Sequence, residues 1–204
     1  MSKNPIIVFE GIEGSGKSLH IENVSNYLKK INRKFIRIRE PGGSINSEKI
    51  RKLILDNKSS FNRNTDLLLY MSARSENISL IKKNFKKKII LIDRFVDSTI
   101  AYQHYGLGVD IKIVNFINKF LLKNIKVTFT FLNLVNSKNM VERLKKRIKL
   151  NRYDKFSITF YNKVQKGFLN ISKKRNNKYL KVNSNLEINS NKKIIINKVK
   201  ELIT

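Results

Sequence analysis

The sequence contains no cysteine, which excludes a disulfide framework and any zinc site built on cysteine ligands. Its early apolar run, Ile6 to Phe9, is broken at once by Glu10 and Gly11 and is too short for the core of a signal peptide. No stretch approaches the roughly 18 uninterrupted apolar residues of a membrane span. We therefore expect a cytoplasmic protein without a membrane partner.

Acidic residues are also scarce: 15 Asp and Glu stand against 43 Lys and Arg, for a net charge of +28. Such an excess can indicate nucleic-acid binding, because basic patches release counterions from polyphosphates. The lysines are spread along the whole chain, however, and no basic-aromatic binding module is present. We interpret the charge as a composition bias carried on solvated helix faces, and expect no specific nucleic-acid partner.

Repeats, Pro- or Gly-rich linkers and sharp composition changes are missing, so residues 1–204 are predicted to form one domain. Five short apolar runs predict strands: PIIVFE, KFIRIRE, KKIILIDR, VTFTFLNL and YLKVN. The segments between them have helical spacing, among them DSTIAYQHY and KNMVERLKKRIK. Strands that alternate with helices predict an α/β fold with a five-stranded parallel sheet between helical layers. Ligands of such sheets bind at the carboxyl ends of the strands, where EGIEGSGKS, REPGG and DRFVDS lie here.

The first of these turns has the pattern G-x-x-x-x-G-K-[ST] of a P-loop. Glycines allow successive backbone N–H groups to surround a phosphate, and the following helix directs its positive end at the same anion. The lysine is predicted to reach the β- and γ-phosphates of ATP, and the serine to bind Mg²⁺. A bare connecting turn is the alternative, but the position between strand and helix favours nucleotide binding. The predicted ATP-binding residues are Gly11, Ile12, Glu13, Gly14, Ser15, Gly16, Lys17 and Ser18.

Six segments in order, FEGIEGSGKS, REPGGS, EKIRKLIL, LLLYMSAR, DRFVDSTIAYQ and ERLKKRIKLNRYD, resemble the bacterial thymidylate kinase (dTMP kinase) family. The resemblance runs from about Ile6 to about Leu169. It implies a P-loop NTPase fold and transfer of the γ-phosphoryl group of ATP to dTMP for dTTP synthesis. It also implies Mg²⁺, a homodimer packed through helices, and a mobile lid at about residues 143–156. Because a nucleoside monophosphate is already an ionised nucleophile, the reaction needs positive charge and no general base.

The resemblance also implies an acceptor site. Arg94 follows the third predicted strand, where its guanidinium can fork onto the dTMP phosphate, and it is a catalytic candidate with Lys17. Tyr70 and Arg74 lie four apart on a predicted helix and therefore share a face for stacking and bonding the thymine. Glu13 is implied at the 3′-hydroxyl or, with Ser18, in the Mg²⁺ shell. The full set of implied dTMP-binding residues is Glu13, Arg39, Arg51, Tyr70, Arg74, Arg94, Ser98, Thr99, Tyr102 and Gln103.

In this family, members without an arginine in the P-loop supply one from the lid. Gly14 stands at that P-loop position here, so Arg147 and Arg152 are the catalytic candidates, with Arg143 in support. A plain basic helix face is the alternative for this cluster.

Two rival functions stay open at this point. One is another small P-loop kinase, acting on adenylate, guanylate, cytidylate or a deoxynucleoside. The other is a non-catalytic nucleic-acid-binding protein. The pair REPGG and DRFVDSTIAYQ favours a thymidylate kinase over both.

Overall fold

The structure is a computed structural model that describes residues 4–204, so residues 1–3 of the predicted domain lie outside it. Its centre is one sheet of five parallel strands in the order β2-β3-β1-β4-β5. The strands are β1 (Ile6–Glu10), β2 (Phe35–Arg39), β3 (Ile89–Asp93), β4 (Phe129–Leu134) and β5 (Tyr179–Asn183). The predicted five-stranded parallel sheet is confirmed.

Within residues 4–204, eight α-helices connect and cover these strands. They are α1 (Lys17–Lys30), α2 (Ile45–Leu55), α3 (Arg63–Asn84), α4 (Val96–Thr99), α5 (Ile111–Leu122), α6 (Ser137–Lys145), α7 (Ile158–Lys174) and α8 (Ile188–Ile203). A π-helix, Ile100–Gly106, continues α4, and short 3-10 turns lie at Tyr153–Lys155 and Asn176–Lys178. No helix among residues 4–204 is both long and apolar enough to cross a bilayer.

The sheet is the middle of three layers. Side chains alternate along a strand, so Ile7 and Phe9 of β1 pack on the face that α1 and α8 cover, while Val8 points to the opposite face. That opposite face is covered by α3, whose Ile78 and Ile81 contact it. Both faces are buried, as expected for parallel strands made of continuous apolar runs.

Two predicted helices differ from the structure. DSTIAYQHY is helical but becomes a π-helix, in which the Leu107 N–H bonds the Tyr102 carbonyl five residues back at 2.9 Å. Side-chain periodicity does not reveal a local one-residue expansion of this kind. The helix predicted over residues 138–149 ends at Lys145, because Ile148 is fully exposed and has no core to pack against.

The topology brings three turns to one edge of the sheet. Strand β1 lies between β3 and β4, and β3 lies between β1 and β2. The carboxyl ends of β1, β2 and β3 are therefore neighbours. The P-loop, the Glu40–Gly43 turn and the Asp93–Arg94 pair meet there.

Candidate functional site

The P-loop joins β1 to α1 and depends on its glycines. Gly11, Gly14 and Gly16 all have positive φ, at 141°, 68° and 81°. A Cβ at Gly11 would lie 2.3 Å from the Asn133 carbonyl oxygen, so no other residue fits there. The predicted loop therefore forms between the predicted strand and helix.

Lys17 is buried at the start of α1. Its ammonium donates to the carbonyls of Gly11 at 3.0 Å and Ile12 at 2.9 Å, and to the Ser15 hydroxyl at 3.3 Å. Burial lowers the pKa of Lys17 to about 8, and the nearby Arg94 cation adds to this effect. An anion bound in the loop would raise the pKa of Lys17 again and keep its ammonium charged.

Ser18 and Asp93 form an oxygen pair beside the loop. The Ser18 hydroxyl donates to the Asp93 carboxylate at 3.1 Å. Magnesium prefers oxygen ligands and commonly takes one or two carboxylates plus substrate phosphates, so this pair fits the ion. No group of three acidic, His or Cys residues that could hold a metal is present among residues 4–204. Asp93 was not among the predicted site residues, although its place at the end of β3 was a usable signal.

Arg94 is the central cation of the site. Its backbone has φ of 65°, a left-handed conformation that is costly for a side-chain-bearing residue and occurs at functional sites. Its guanidinium donates to the Gly11 carbonyl at 2.7 Å and to the Glu13 carboxylate at 2.8 Å. Arg94 is thus fixed to the P-loop from the neighbouring strand.

Glu13 turns toward this cation. One carboxylate oxygen accepts from Arg94 and the other from the Tyr102 hydroxyl. Burial would raise the pKa of Glu13, but Arg94, Lys17 and Tyr102 together lower it, so the carboxylate is charged. Both oxygens are therefore engaged on the side predicted for the acceptor. The contacts favour Asp93, and not Glu13, as the carboxylate that accompanies Ser18.

A narrow cleft lies beyond Arg94. Helix α3, helix α4 and the π-helix line it with Tyr70, Arg74, Ser98, Thr99, Tyr102 and Gln103. Glu13, Glu40, Arg94 and Phe95 complete the lining. The Thr99 hydroxyl and the Gln103 carbonyl oxygen are buried there without a hydrogen-bond partner in the protein. Buried polar atoms are rarely left unpaired, so a polar ligand edge is the natural partner.

Arg74 forms the floor of this cleft and is only 1% exposed. Its Nε and Nη2 both lie 2.8 Å from a single carboxylate oxygen of Glu40, Oε2, and its Nη1 donates to the Asn118 side-chain carbonyl at 2.6 Å. Its guanidinium also stacks over the Phe95 ring at 5.2 Å. Tyr70 and Arg74, which were predicted to share a helix face, both line this cleft.

Comparisons with known proteins agree with this geometry. The sequence model of the family described as thymidylate kinase matches residues 9–195. A thymidylate kinase of Thermosipho africanus is 39% identical over 176 residues, covering 85% of this chain and 87% of the relative. One from a Sulfurihydrogenibium species is 35% identical and covers 96% of both chains. The crystal structure of thymidylate kinase from Ehrlichia chaffeensis has a TM-score of 0.78 at 28% identity, with coverage of 97% of this chain and 99% of that one.

The chain belongs to the thymidylate kinase family. The predicted P-loop NTPase fold and the predicted class, a nucleoside monophosphate kinase, are thereby confirmed. The two rival functions, another small P-loop kinase and a nucleic-acid-binding protein, are set aside.

Two further arginines border the cavity of this thymidylate kinase. The cavity measures about 200 Å³ and is lined by Lys17, Arg94 and both of these arginines. Arg51 is held by the Pro41 carbonyl at 2.6 Å. Arg39 is half exposed and forms a bidentate pair with Glu48 at 2.8–3.0 Å. Both lie at the predicted acceptor side.

The three arginines of the predicted lid have different positions. Arg147 lines the cavity and pairs with Asp154. Arg143 donates to the Gly14 carbonyl of the P-loop at 2.9 Å. Arg152 pairs with Asp66 and donates to the Ile54 carbonyl at 3.0 Å, and it does not line the cavity. The structure thus brings Arg147, but not Arg152, to the cavity beside the P-loop.

Glu10 is a site residue that the sequence analysis missed. It is fully buried at the end of β1 and accepts the N–H groups of Phe95 at 2.8 Å and Ser98 at 3.2 Å. The Ser98 hydroxyl donates to its other oxygen at 2.5 Å. Glu10 therefore caps α4 and links the strand before the P-loop to the segment that carries Arg94. Burial, with the Asp97 carboxylate, raises the pKa of Glu10 to about 7.

Proposed function

We propose that this protein transfers the γ-phosphoryl group of ATP to dTMP and yields ADP and dTDP for dTTP synthesis. The observation that carries the proposal is that the P-loop cavity and the cleft share Glu13, Glu40, Tyr70 and Arg94 as lining. A donor phosphate on the P-loop and an acceptor phosphate on Arg94 would therefore meet in one space. Phosphoryl transfer requires this in-line approach of two phosphates.

The charges of the site suit this chemistry. Lys17 would follow the γ-phosphoryl group, while Arg94 would hold the acceptor phosphate with two N–H groups. Magnesium, held by Ser18 and Asp93 together with the ATP phosphates, would supply further neutralisation of the transferring group. The acceptor oxygen is already ionised, so none of these side chains has to remove a proton.

The cleft supports a pyrimidine base as the acceptor's recognition element. Thr99 and Gln103 offer unpartnered polar atoms to a base edge, and Arg74 offers its remaining Nη2 N–H to a carbonyl oxygen. The rings of Tyr70 and Phe95 supply flat apolar walls. The cleft is narrow, with a volume of about 20 Å³, so Tyr70 has to move outward as the base enters.

Tyr102 and Glu13 complete the acceptor side. The Tyr102 ring packs under the Arg94 guanidinium at 5.1 Å, and its hydroxyl is held by Glu13. A ring fixed in this way fills space beside the sugar and would exclude a 2′-hydroxyl. Exclusion would combine a steric cost with the desolvation of an unpaired hydroxyl.

Within the proposed lid, residues 143–156, we assign to Arg147 the positive charge that stabilises the transferring phosphoryl group. Arg147 already lines the cavity, and 39% of its side chain is exposed, so it can leave Asp154 for a phosphate. Arg143, bonded to the backbone of Gly14, would keep the lid helix in register with the P-loop.

We further propose a cytoplasmic homodimer. Helix α5 exposes three large apolar side chains, Ile113, Phe116 and Phe120, on one stripe at helical spacing. Such a stripe suits an isologous contact with a second copy. Light scattering of wild type and of Phe116→Glu tests this: a dimer that becomes monomeric supports it, and a wild-type monomer contradicts it.

A coupled ADP-release assay tests the proposed reaction. Each of dTMP, dUMP, UMP, CMP, AMP and GMP is offered with ATP and Mg²⁺. We expect dTMP to give the highest kcat/KM and dUMP to be weaker, since one methyl group changes discrimination by about 1–3 kcal/mol. Faster turnover of AMP or GMP than of dTMP would contradict the proposal.

A further inference from the structure

A second cavity lies on the other side of Phe95 from the cleft. It has a volume of about 340 Å³, within the range of small-molecule pockets. Its floor is the sheet face carrying Val8 and Thr130, and its walls come from α4, from α5 and from the segment entering β5. None of the P-loop residues 11–18 lines it.

Two buried polar groups in its wall lack partners. Asp97 is 6% exposed: one carboxylate oxygen accepts from the Tyr179 hydroxyl, and the other has no hydrogen bond. Asn118 is 4% exposed, and its amide NH₂ is likewise unpaired, while its carbonyl accepts from Arg74. Both residues line the cavity, so the unpaired acceptor and the unpaired donor belong to its wall, and a ligand of matching polarity would satisfy them.

The mouth of the cavity is basic. Lys126, Arg175 and Lys178 line it and are exposed. The nearest of them to the buried acid, Arg175, remains 3.9 Å from Asp97, beyond hydrogen-bond distance. Apolar side chains also line the cavity, with Val8, Phe95 and Leu122 among them. The arrangement calls for a ligand with an anionic end, an apolar body and a polar tip.

We propose that this cavity binds a nucleotide with an amino-bearing base, as a site separate from those of ATP and dTMP. The exocyclic amino group of cytosine or adenine would donate to Asp97, and the adjacent ring nitrogen would accept from Asn118. The phosphate would then face Lys126, Arg175 and Lys178.

Contacts across the dividing wall connect this site to the cleft. Phe95 lines both spaces, and Arg74 stacks on it while bonding Asn118. A ligand that fixes the Asn118 amide therefore also fixes the floor of the base cleft. By reciprocity, dTMP and the bound nucleotide must change each other's affinity by the same factor.

Calorimetry on the whole protein tests the site. ADP, Mg²⁺ and dTMP are first added at concentrations that fill the substrate sites, and dCMP or dAMP is then titrated. We expect one additional site per chain. Affinity for dUMP should be lower than for dCMP, because a carbonyl oxygen would replace the amino group next to the Asp97 carboxylate. The apparent dissociation constant of dTMP, measured with and without dCMP, should differ.

Three variants sharpen the test. The double variant Lys126→Glu/Lys178→Glu should raise the Kd of dCMP by about tenfold or more, because two cationic contacts become repulsive. Lys192→Glu/Lys193→Glu on α8 makes the same charge change at exposed positions outside the cavity and should leave the Kd unchanged. Leu122→Trp should abolish binding by filling the cavity, and its melting temperature shows whether it folds.

Several results would overturn the proposal. They are the absence of any further site once ADP and dTMP are bound, equal affinity for dCMP and dUMP, and binding of inorganic phosphate as tight as that of dCMP. An equal rise in the Kd of dCMP in the α8 control, Lys192→Glu/Lys193→Glu, would mean that dCMP is held by diffuse positive charge. That result would also overturn the proposal. An unchanged dTMP affinity would refute the connection through Phe95 and Arg74.

Discussion

Replacing Arg94 with methionine should separate its catalytic charge from its structural role. Methionine keeps an unbranched apolar stem and removes the guanidinium. That guanidinium donates to Gly11 at 2.7 Å and to Glu13 at 2.8 Å and is available to an acceptor phosphate. Hydrogen bonds to charged groups contribute about 1.5–3 kcal/mol each, so losing a bidentate phosphate contact should cost about 3–6 kcal/mol.

In the coupled assay this cost corresponds to a fall in kcat/KM for dTMP of roughly 10²–10⁴-fold. The KM for dTMP should rise as well, because Arg94 contacts the acceptor before and during transfer. The KM for ATP should change much less, since the P-loop itself is unaltered. Arg39→Met is the matched control at an arginine that is already paired with Glu48 and half exposed, and it should cost less.

Stability gives an independent test. Arg94→Met leaves the Glu13 carboxylate buried without its cation, which should lower the free energy of unfolding by about 3 kcal/mol. The double variant Arg94→Met/Glu13→Gln removes the unpaired charge and should regain much of that stability in urea denaturation. It should not regain activity. Wild-type affinity for dTMP in Arg94→Met, or recovered turnover in the double variant, would refute the assigned role.

Three further predictions concern the lid, the buried acid and the sugar. Arg147→Met should slow single-turnover transfer by about 10²-fold or more with little change in ATP binding, by analogy with arginine fingers; a larger loss in Arg152→Met would reverse the assignment. The folded protein keeps a proton on Glu10 up to about pH 7, whereas the unfolded chain releases it near the ordinary glutamate pKa of 4.5. As the pH rises from 4.5 to 7, the free energy of unfolding of wild type should therefore fall relative to that of Glu10→Gln. The fall should be of order 3 kcal/mol at most, and equal pH dependence in urea denaturation of the two proteins would contradict it. Tyr102→Ala should raise the kcat/KM of ribothymidine monophosphate relative to dTMP, whereas Tyr102→Phe should keep most of the discrimination; an unchanged ratio in Tyr102→Ala would move sugar recognition elsewhere.

The sequence alone determined the strands, most helices and the P-loop. These features depend on short-range chain properties: apolar runs bounded by glycine, helical spacing, and glycines that allow positive φ. The pair Tyr70–Arg74 was also predictable, because a spacing of four places both side chains on the same helix face. Helical spacing gave a wrong helix end where packing decides it. Helix α6 ends before Ile148, which is exposed and packs against no core residue.

Only the tertiary structure decided which distant groups meet. Asp93 reaches Ser18 across 75 residues, and Glu10 reaches the N–H of Phe95 across 85, because β1 and β3 are neighbours in the sheet. No local signal carries such contacts, since they follow from strand order. The same holds for the choice between Arg147 and Arg152, which are both basic residues of one segment. Arg147 pairs with the nearby Asp154 and lines the cavity, whereas Arg152 pairs with Asp66 of α3 and lies outside it.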